Sequence, residues 1–346
     1  MKRQLYISGL SKLGDYIKDF LANDPLQQNE KFSDFNSIIR KSEIDNPWFT
    51  EENQKYALNE WATLLNEENL SEWLQDYRFS ETPKKIGLVL AGNIPLVGFH
   101  DVICTVLSGN IAVIKPSSKD KIMIPFLLKK WNEFSKPLPI PFEIVEKLTD
   151  YDAVIATGSN NTARYLEYYF KNSLSLIRKN RTSVAVLSGE ETDEEIRALA
   201  NDIFRYFGLG CRNVTRLFIP KNFGLERLFE NFMDFQEVIH HHKYANNYDY
   251  NRAIYLLNQE KFWDNNFVLL KEDEKLFSPL AVLHFSRYEQ TDEVHQFIKE
   301  NEENIQCIVA QPQLGISNSI NMGNAQKPSL STYADNVDTM RFLEVI

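Results

Sequence analysis

The stretch FRYFGLGCRNVTR, Phe204 to Arg216, carries Cys211, one of only three cysteines in the chain. Gly208 and Gly210 come just before it, and Arg212 and Arg216 just after. A thiolate is a good nucleophile for a carbonyl carbon. Glycines let a loop backbone approach a substrate closely, and nearby guanidinium groups favour thiolate over thiol. Cys104 sits in an apolar helical stretch and Cys307 in an apolar strand, so both read as core.

Three other places have the chemistry to meet an anion. In LAGNIPLVGF, Asn93 follows a glycine at the end of an apolar run. Its amide can donate to an oxyanion or cap the next helix. In NIAVIKPSSKD, Lys115 ends a buried run ahead of Pro116, Ser117 and Ser118. A lysine at the carboxyl end of a parallel strand points into the crevice where ligands bind, within reach of ribose hydroxyls or a 2'-phosphate. A solvated loop lysine would look the same. In ATGSNNTARYL, Gly158 and Ser159 lie between a strand and a helix. Such a turn offers backbone N–H groups and the positive helix end to a phosphate, although many ordinary α/β turns share the pattern. The GxGxxG dinucleotide fingerprint is missing. His240, His241 and His242 are consecutive, so a regular helix or strand cannot aim all three at one ion. No metal site is expected there; a helix C-terminus that favours cations accounts for the run.

These residues need elements to hold them. Residues 1–82 read as helical, with Trp61, Leu64, Leu65, Trp73 and Leu74 at helical spacing and Thr50 as an N-cap. From residue 83 short apolar runs alternate with helical stretches, the signature of a doubly wound parallel α/β sheet. Strands are expected near residues 86–90, 111–115, 152–156 and 184–187, all in one mostly parallel sheet. The helix TDEEIRALANDIFRYFG starts at Thr192 and is expected to end at Gly208, leaving Cys211 in the loop that follows. After VTRLFIP the alternation resumes, which implies a second α/β domain.

The chain has 346 residues, room for about two domains of ~150 residues. A net charge of -10 excludes a broad nucleic-acid surface. Three cysteines without a CxxC point to a reducing, cytoplasmic setting. The basic first residues lead into no continuous apolar segment, so no signal peptide is expected. No run approaches the ~20 apolar residues of a membrane span.

Taken in order, N-x-P at Asn93, K-P-S at Lys115, G-S at Gly158 and the Gly-Cys loop resemble the aldehyde dehydrogenase superfamily. The blocks LAGNIPLVGFHDVI, LSGNIAVIKPS, GCRNVTRLFIP and YADNVDTMRFL are more closely similar to the LuxC-type acyl-CoA reductases. The resemblance covers about residues 83–346. It implies an aldehyde dehydrogenase-like fold of two doubly wound α/β domains with a helical N-terminal segment. Segment 1–82 would be helical, 83–207 the NAD(P)-binding domain, and 208–320 the catalytic domain with the cysteine loop. Residues 321–346 would be a tail packing on another domain or subunit. The implied reaction is NADPH-dependent reduction of a long-chain acyl-CoA to an aldehyde through a cysteine acyl-enzyme. Cys211 would be the nucleophile. Asn93 and the Cys211 N–H would form the oxyanion hole, so the two should meet in space. Lys115, Ser117, Gly158 and Ser159 would bind NADPH, with NADH as the other candidate.

Two departures from the oxidising relatives matter. VLSG, Val186 to Gly189, matches their E-L-G-G, which places Val186 where they carry a general-base glutamate, with Glu190 close by. Without that base, acyl exchange with a thiol is favoured over hydrolysis. KLFSP matches E-x-F-G-P, which puts Lys275 where a ribose-binding glutamate stands. The alternatives are a short-chain CoA-acylating aldehyde dehydrogenase using NAD, and a catalytically silent acyl-binding partner protein. The implied partners are an acyl-CoA or acyl-protein thioester, a homo-oligomer or an acyl-transfer enzyme, with no nucleic acid.

Overall fold

The computed structural model describes residues 1–23 and 30–346. Contacts divide the chain into two units, residues 1–179 with 329–346, and residues 180–328. Residues 24–29 of the expected helical segment lie outside the described residues.

The first unit opens with helices Lys2–Ala22, Ser33–Asp45, Glu51–Leu64 and Glu67–Leu74. Leu10, Leu13 and Ile17 form a buried stripe at helical spacing on the first. Thr50 Oγ1 accepts from the Asn53 N–H, so the expected N-cap forms. The aromatics pack as the spacing predicts: Trp61 lies edge-on to Phe99, and Trp73 Nε1 donates to the Tyr333 hydroxyl. The sheet that follows contains β1 (Lys85–Val89), β2 (Ile111–Lys115), β3 (Phe142–Ile144), β4 (Ala153–Thr157) and β5 (Leu174–Arg178). Their order is β3-β2-β1-β4-β5, with every pair parallel. The order reverses between β1 and β4, so the ligand crevice of such a sheet opens there, at the carboxyl ends. The end of the chain belongs to this unit. Asp338 accepts from the Tyr77 hydroxyl, and Thr339 from the Arg178 guanidinium.

The second unit holds β6 (Thr182–Val186), β7 (Val214–Pro220), β8 (Trp263–Asp264), β9 (Leu269–Glu272), β10 (Val282–Tyr288), β11 (Ile305–Ala310) and β12 (Ser319–Ile320). Their order is β12-β11-β6-β7-β10-β9-β8. Among the described residues only its edge pair β8–β9 is antiparallel. Leu217, Ile219, Leu283, Phe285 and Val309 build its core with helix Asp193–Phe204.

Two expectations are corrected. The strand near 184–187 does not join the first sheet; it pairs with β7 and β11 in the second. Residues 180–207 therefore belong with the cysteine loop, and the compact units do not follow a 207/208 boundary. A wholly buried run such as Thr182–Val186 looks alike in any parallel sheet, so its pattern cannot say which sheet hosts it. Among the described residues no helix is long and apolar enough to cross a membrane.

Candidate active site

The cysteine loop begins with a helix of defined ends. Thr192 and Glu195 form a reciprocal capping box at the start of Asp193–Phe204. The helix stops at Phe204 rather than running to Gly208. The chain then turns through the left-handed region at Tyr206 (φ 55), Phe207 (φ 58) and Gly208 (φ 77). Such a conformation costs on the order of 1–3 kcal/mol for a residue other than glycine. Burial of both aromatic side chains offsets it. Phe207 packs on His241, ring centroids 4.4 Å apart. His241 in turn accepts from the Tyr244 N–H and caps helix His242–Leu257, which gives this member of the histidine run a structural role.

Beyond Gly208 the chain forms a tight turn, in which the Asn213 N–H donates to the Gly210 carbonyl at 3.0 Å. Cys211 is half-buried within it. The Ser183 hydroxyl donates to the Cys211 carbonyl at 3.1 Å and lies 3.0 Å from Cys307 Sγ. Cys307, expected to be plain core, thus stands beside the cysteine loop. Burial pushes its thiol pKa up, which keeps it protonated and a poor nucleophile. Cys104 is fully buried, and burial raises its thiol further.

The arginines do other work than the spacing suggests. Arg216 is buried in β7 and donates to the carbonyls of Asp273 and Lys275 and to the Ser286 hydroxyl. Its guanidinium lies between the rings of Phe218 and Phe297, 4.8 and 4.5 Å from their centroids. Burial lowers its pKa to about 10. Arg216 therefore supports the KLFSP turn. Arg212 Nε donates to the Ala325 carbonyl, and its charge falls near Asp202 and Cys307.

A pocket of ≈ 220 Å³ opens against Gly208, Leu209 and Gly210. Its other walls include Asn180, Arg181 and Thr182 at the start of β6, with Phe204, Phe207, Tyr244 and Phe277 supplying apolar surface. Among the described residues no carboxylate lines it. Here the expected match of VLSG to E-L-G-G needs correction. Val186 is buried at the far end of β6, paired with Phe218, whereas Cys211 precedes the near end of β7. Glu190 is exposed beyond that far end. The residues that adjoin the cysteine turn are 180–183, with no acid among them. Lys275 is exposed, and its carbonyl accepts from Arg216 and faces His284 Nδ1.

The remaining candidates stand in the first unit, on three adjacent strands. Lys115 ends β2, half-buried and paired in register with Val89 of β1. Asn93 is exposed in the bend after β1. Ser117 is wedged against Gly92, where any Cβ would lie 2.6 Å from its Oγ, and that oxygen accepts from the Lys119 N–H. Gly158 and Ser159 follow β4. Gly158 is needed for close approach, since a Cβ would lie 2.8 Å from Thr162 Cβ. Its N–H donates to the Arg178 carbonyl and is not open to a phosphate. Ser159 caps helix Asn160–Tyr169 by accepting from the Thr162 N–H. The fold thus gathers Asn93, Lys115, Ser117, Gly158 and Ser159 on one sheet edge, while Cys211 belongs to the other unit. Sequence reasoning passes over Ser183 and Asn213, which hold the cysteine turn. The one signal for Asn213 is a short amide directly after a Gly-Cys loop.

The family model for acyl-CoA reductase (LuxC) matches residues 55–227. Among solved structures, the aldehyde dehydrogenase KauB from Pseudomonas aeruginosa aligns over 90% of this chain and 72% of its own, at 12% identity and TM-score 0.63. A mutant of aldehyde dehydrogenase C from Pseudomonas syringae, complexed with NAD+ and octanal, covers 90% and 73% at 14% identity and TM-score 0.62. An NAD-dependent benzaldehyde dehydrogenase from Corynebacterium glutamicum covers 94% and 83% at 12% identity and TM-score 0.65. At these identities the likeness is one of fold. No curated protein matches the chain.

Proposed function

The chain belongs to the acyl-CoA reductase (LuxC) family and is an oxidoreductase acting on acyl groups; from that premise we propose that it reduces an acyl-CoA to the aldehyde through a thioester on Cys211, with NADPH as reductant. The observation that carries the reading is the Cys211 turn, anchored through its carbonyl and bordered by a pocket without a carboxylate. Cys211 Sγ, as thiolate, attacks the thioester carbon. The carbon–sulfur bond to CoA breaks, and the CoA thiolate leaves with the electron pair. The Cys211 N–H donates to the developing oxyanion, a contribution of roughly 2.7–4 kcal/mol. Hydrolysis of the acyl-enzyme would need an activated water, and the residues lining the pocket offer no carboxylate for that role. The apolar wall of Phe204, Phe207 and Phe277 takes the acyl chain.

The carboxyl edge of β2, β1 and β4 fits a nicotinamide dinucleotide. It lies at the reversal of strand order, and Lys115 forms no ion pair among the described residues. Lys115 and Ser159 would hold the cofactor, with Ser117 and Gly158 shaping the turns beneath it. Bound there, the reduced nicotinamide supplies the hydride that releases the acyl group as aldehyde. The Lys115 ammonium favours the 2'-phosphate of NADPH over the bare ribose of NADH.

The test is acyl-CoA-dependent NADPH oxidation across a panel of chain lengths, with labelled acyl-CoA to trap the intermediate. Label should stay on Cys211 without NADPH and leave as aldehyde when it is added. Cys211→Ser should lose both label and turnover, whereas Cys104→Ser and Cys307→Ser should keep them. Full turnover by Cys211→Ser would overturn the covalent route.

A further inference from the structure

We propose that Asn213 is the positioning residue for Cys211, fixing the nucleophile's turn to the end of the preceding helix; this rests on Cys211 as the nucleophile. A helix leaves its last carbonyls without intrahelical donors. At Phe204 the helix stops, and the chain leaves it through two left-handed aromatics. The Asn213 amide caps carbonyls at this helix end. Its two Nδ2 hydrogens are shared among the carbonyls of Asp202, Ile203 and Arg205, at 3.1, 3.2 and 2.8 Å from the nitrogen. At its other end, Oδ1 accepts from the Gly210 N–H at 2.7 Å. Its main-chain N–H closes the turn on the Gly210 carbonyl, and its main-chain carbonyl accepts from the Ser183 N–H at 3.1 Å. The residue is 0% exposed.

Cys211 and Arg212 are the only residues between these two fixed points. Gly210 and Asn213 are clamped to each other, to the helix end and to β6, so the path of the chain through Cys211 is set. A primary amide on a one-carbon stem is the side chain that offers both ends of the clamp. Aspartate keeps the acceptor and loses the donors, and alanine loses both.

That difference separates positioning from stability. Asn213→Asp retains the Gly210 contact but buries a carboxylate against three carbonyls, so it should be the less stable of the two variants. Asn213→Ala is milder for the fold but releases the cysteine turn. Unfolding temperature should therefore rank wild type, Ala, Asp, whereas kcat for acyl-CoA-dependent NADPH oxidation should rank wild type, Asp, Ala. Misplacing the reacting group costs about 10²-fold, the loss expected for Asn213→Ala with KM for acyl-CoA little changed. A kcat order that follows the unfolding temperatures, or an Asn213→Ala as fast as wild type, would overturn the proposal. Hydrogen exchange at the Gly210 amide of the wild-type protein gives a second reading that does not depend on the variants folding. Strong protection is expected, and exchange at the rate of an open loop would also overturn it. Cys211→Ser separates the two claims. Turnover without the thiol removes the nucleophile and the proposal together. A dead Cys211→Ser beside an unimpaired Asn213→Ala removes the proposal alone.

Discussion

Replacing Arg178 by methionine should strongly destabilise the first unit, and removing its partner as well should restore most of the loss. Arg178 Nη1 lies 2.5 Å from Asp101 Oδ2, and both side chains are 6% exposed. Nη2 donates to Thr339 at 2.8 Å, tying the end of β5 to the C-terminal helix Thr339–Glu344. The pair is imperfectly satisfied, for Asp101 Oδ1 and Arg178 Nε have no hydrogen-bond partner. Arg178→Met keeps the length of the side chain but leaves a buried carboxylate uncompensated, which costs about 3–5 kcal/mol. The unit contains 197 residues. At roughly 2–4 °C per kcal/mol, that is a fall of roughly 6–20 °C in its unfolding temperature. In the double variant Asp101→Leu/Arg178→Met no charge is stranded. Apolar replacement of a buried pair is often neutral, so the remaining loss should be about 1 kcal/mol for the donor missing at Thr339. Tryptophan fluorescence in urea suits the measurement, because Trp48, Trp61, Trp73 and Trp131 all lie in this unit. A cost under about 1 kcal/mol for Arg178→Met, or a double variant as unstable as the two single losses summed, would refute this role for the pair.

Two further outcomes follow from the sites. Lys115→Ala should weaken NADPH binding more than NADH binding, read as separate KM values for the two cofactors; an equal loss would reject a role at the 2'-phosphate. Asp202 is fully buried, and burial pushes its pKa up to about 7 although the N–H groups of Gly323 and Ala325 bond it. The unfolded carboxyl titrates near ~3.9. Between those values the folded chain holds a proton that the unfolded chain has shed, so stability falls as pH rises, by at most ~1.4 kcal/mol per unit. Asp202→Asn lacks this term. The stability margin of wild type over Asp202→Asn should therefore shrink between pH 5 and pH 7.5 in urea titrations, and a widening margin would refute it.

What the sequence made legible follows from how far each signal reaches along the chain. Strand cores, helix starts at Thr50 and Thr192, and the turns at Asn93 and Gly158 are local patterns that need no partner to be recognised. β5 escaped because only Arg178 within it is buried; at an edge the apolar alternation is diluted by Ser175 and an exposed Leu174. The placing of β6 escaped because strand pairing joins residues 182–186 to 214–218 and 305–310, a long-range fact.

The cysteine loop shows the same limit at shorter range. Nearness in sequence suggested that both arginines serve the thiol. Yet Arg216 lies two residues into β7, where side chains alternate between faces, and its own register carries it to the Asp273 turn. Asn213 drew no attention because an asparagine after a glycine loop normally reads as a turn residue. Its role appears only when the carbonyls left by the early helix end are counted, since each needs a donor once buried. The polar group that holds a nucleophile's turn is thus found by asking which buried backbone groups the turn leaves without partners. In this chain that question leads to Asn213 on one side of Cys211 and to Ser183 on the other.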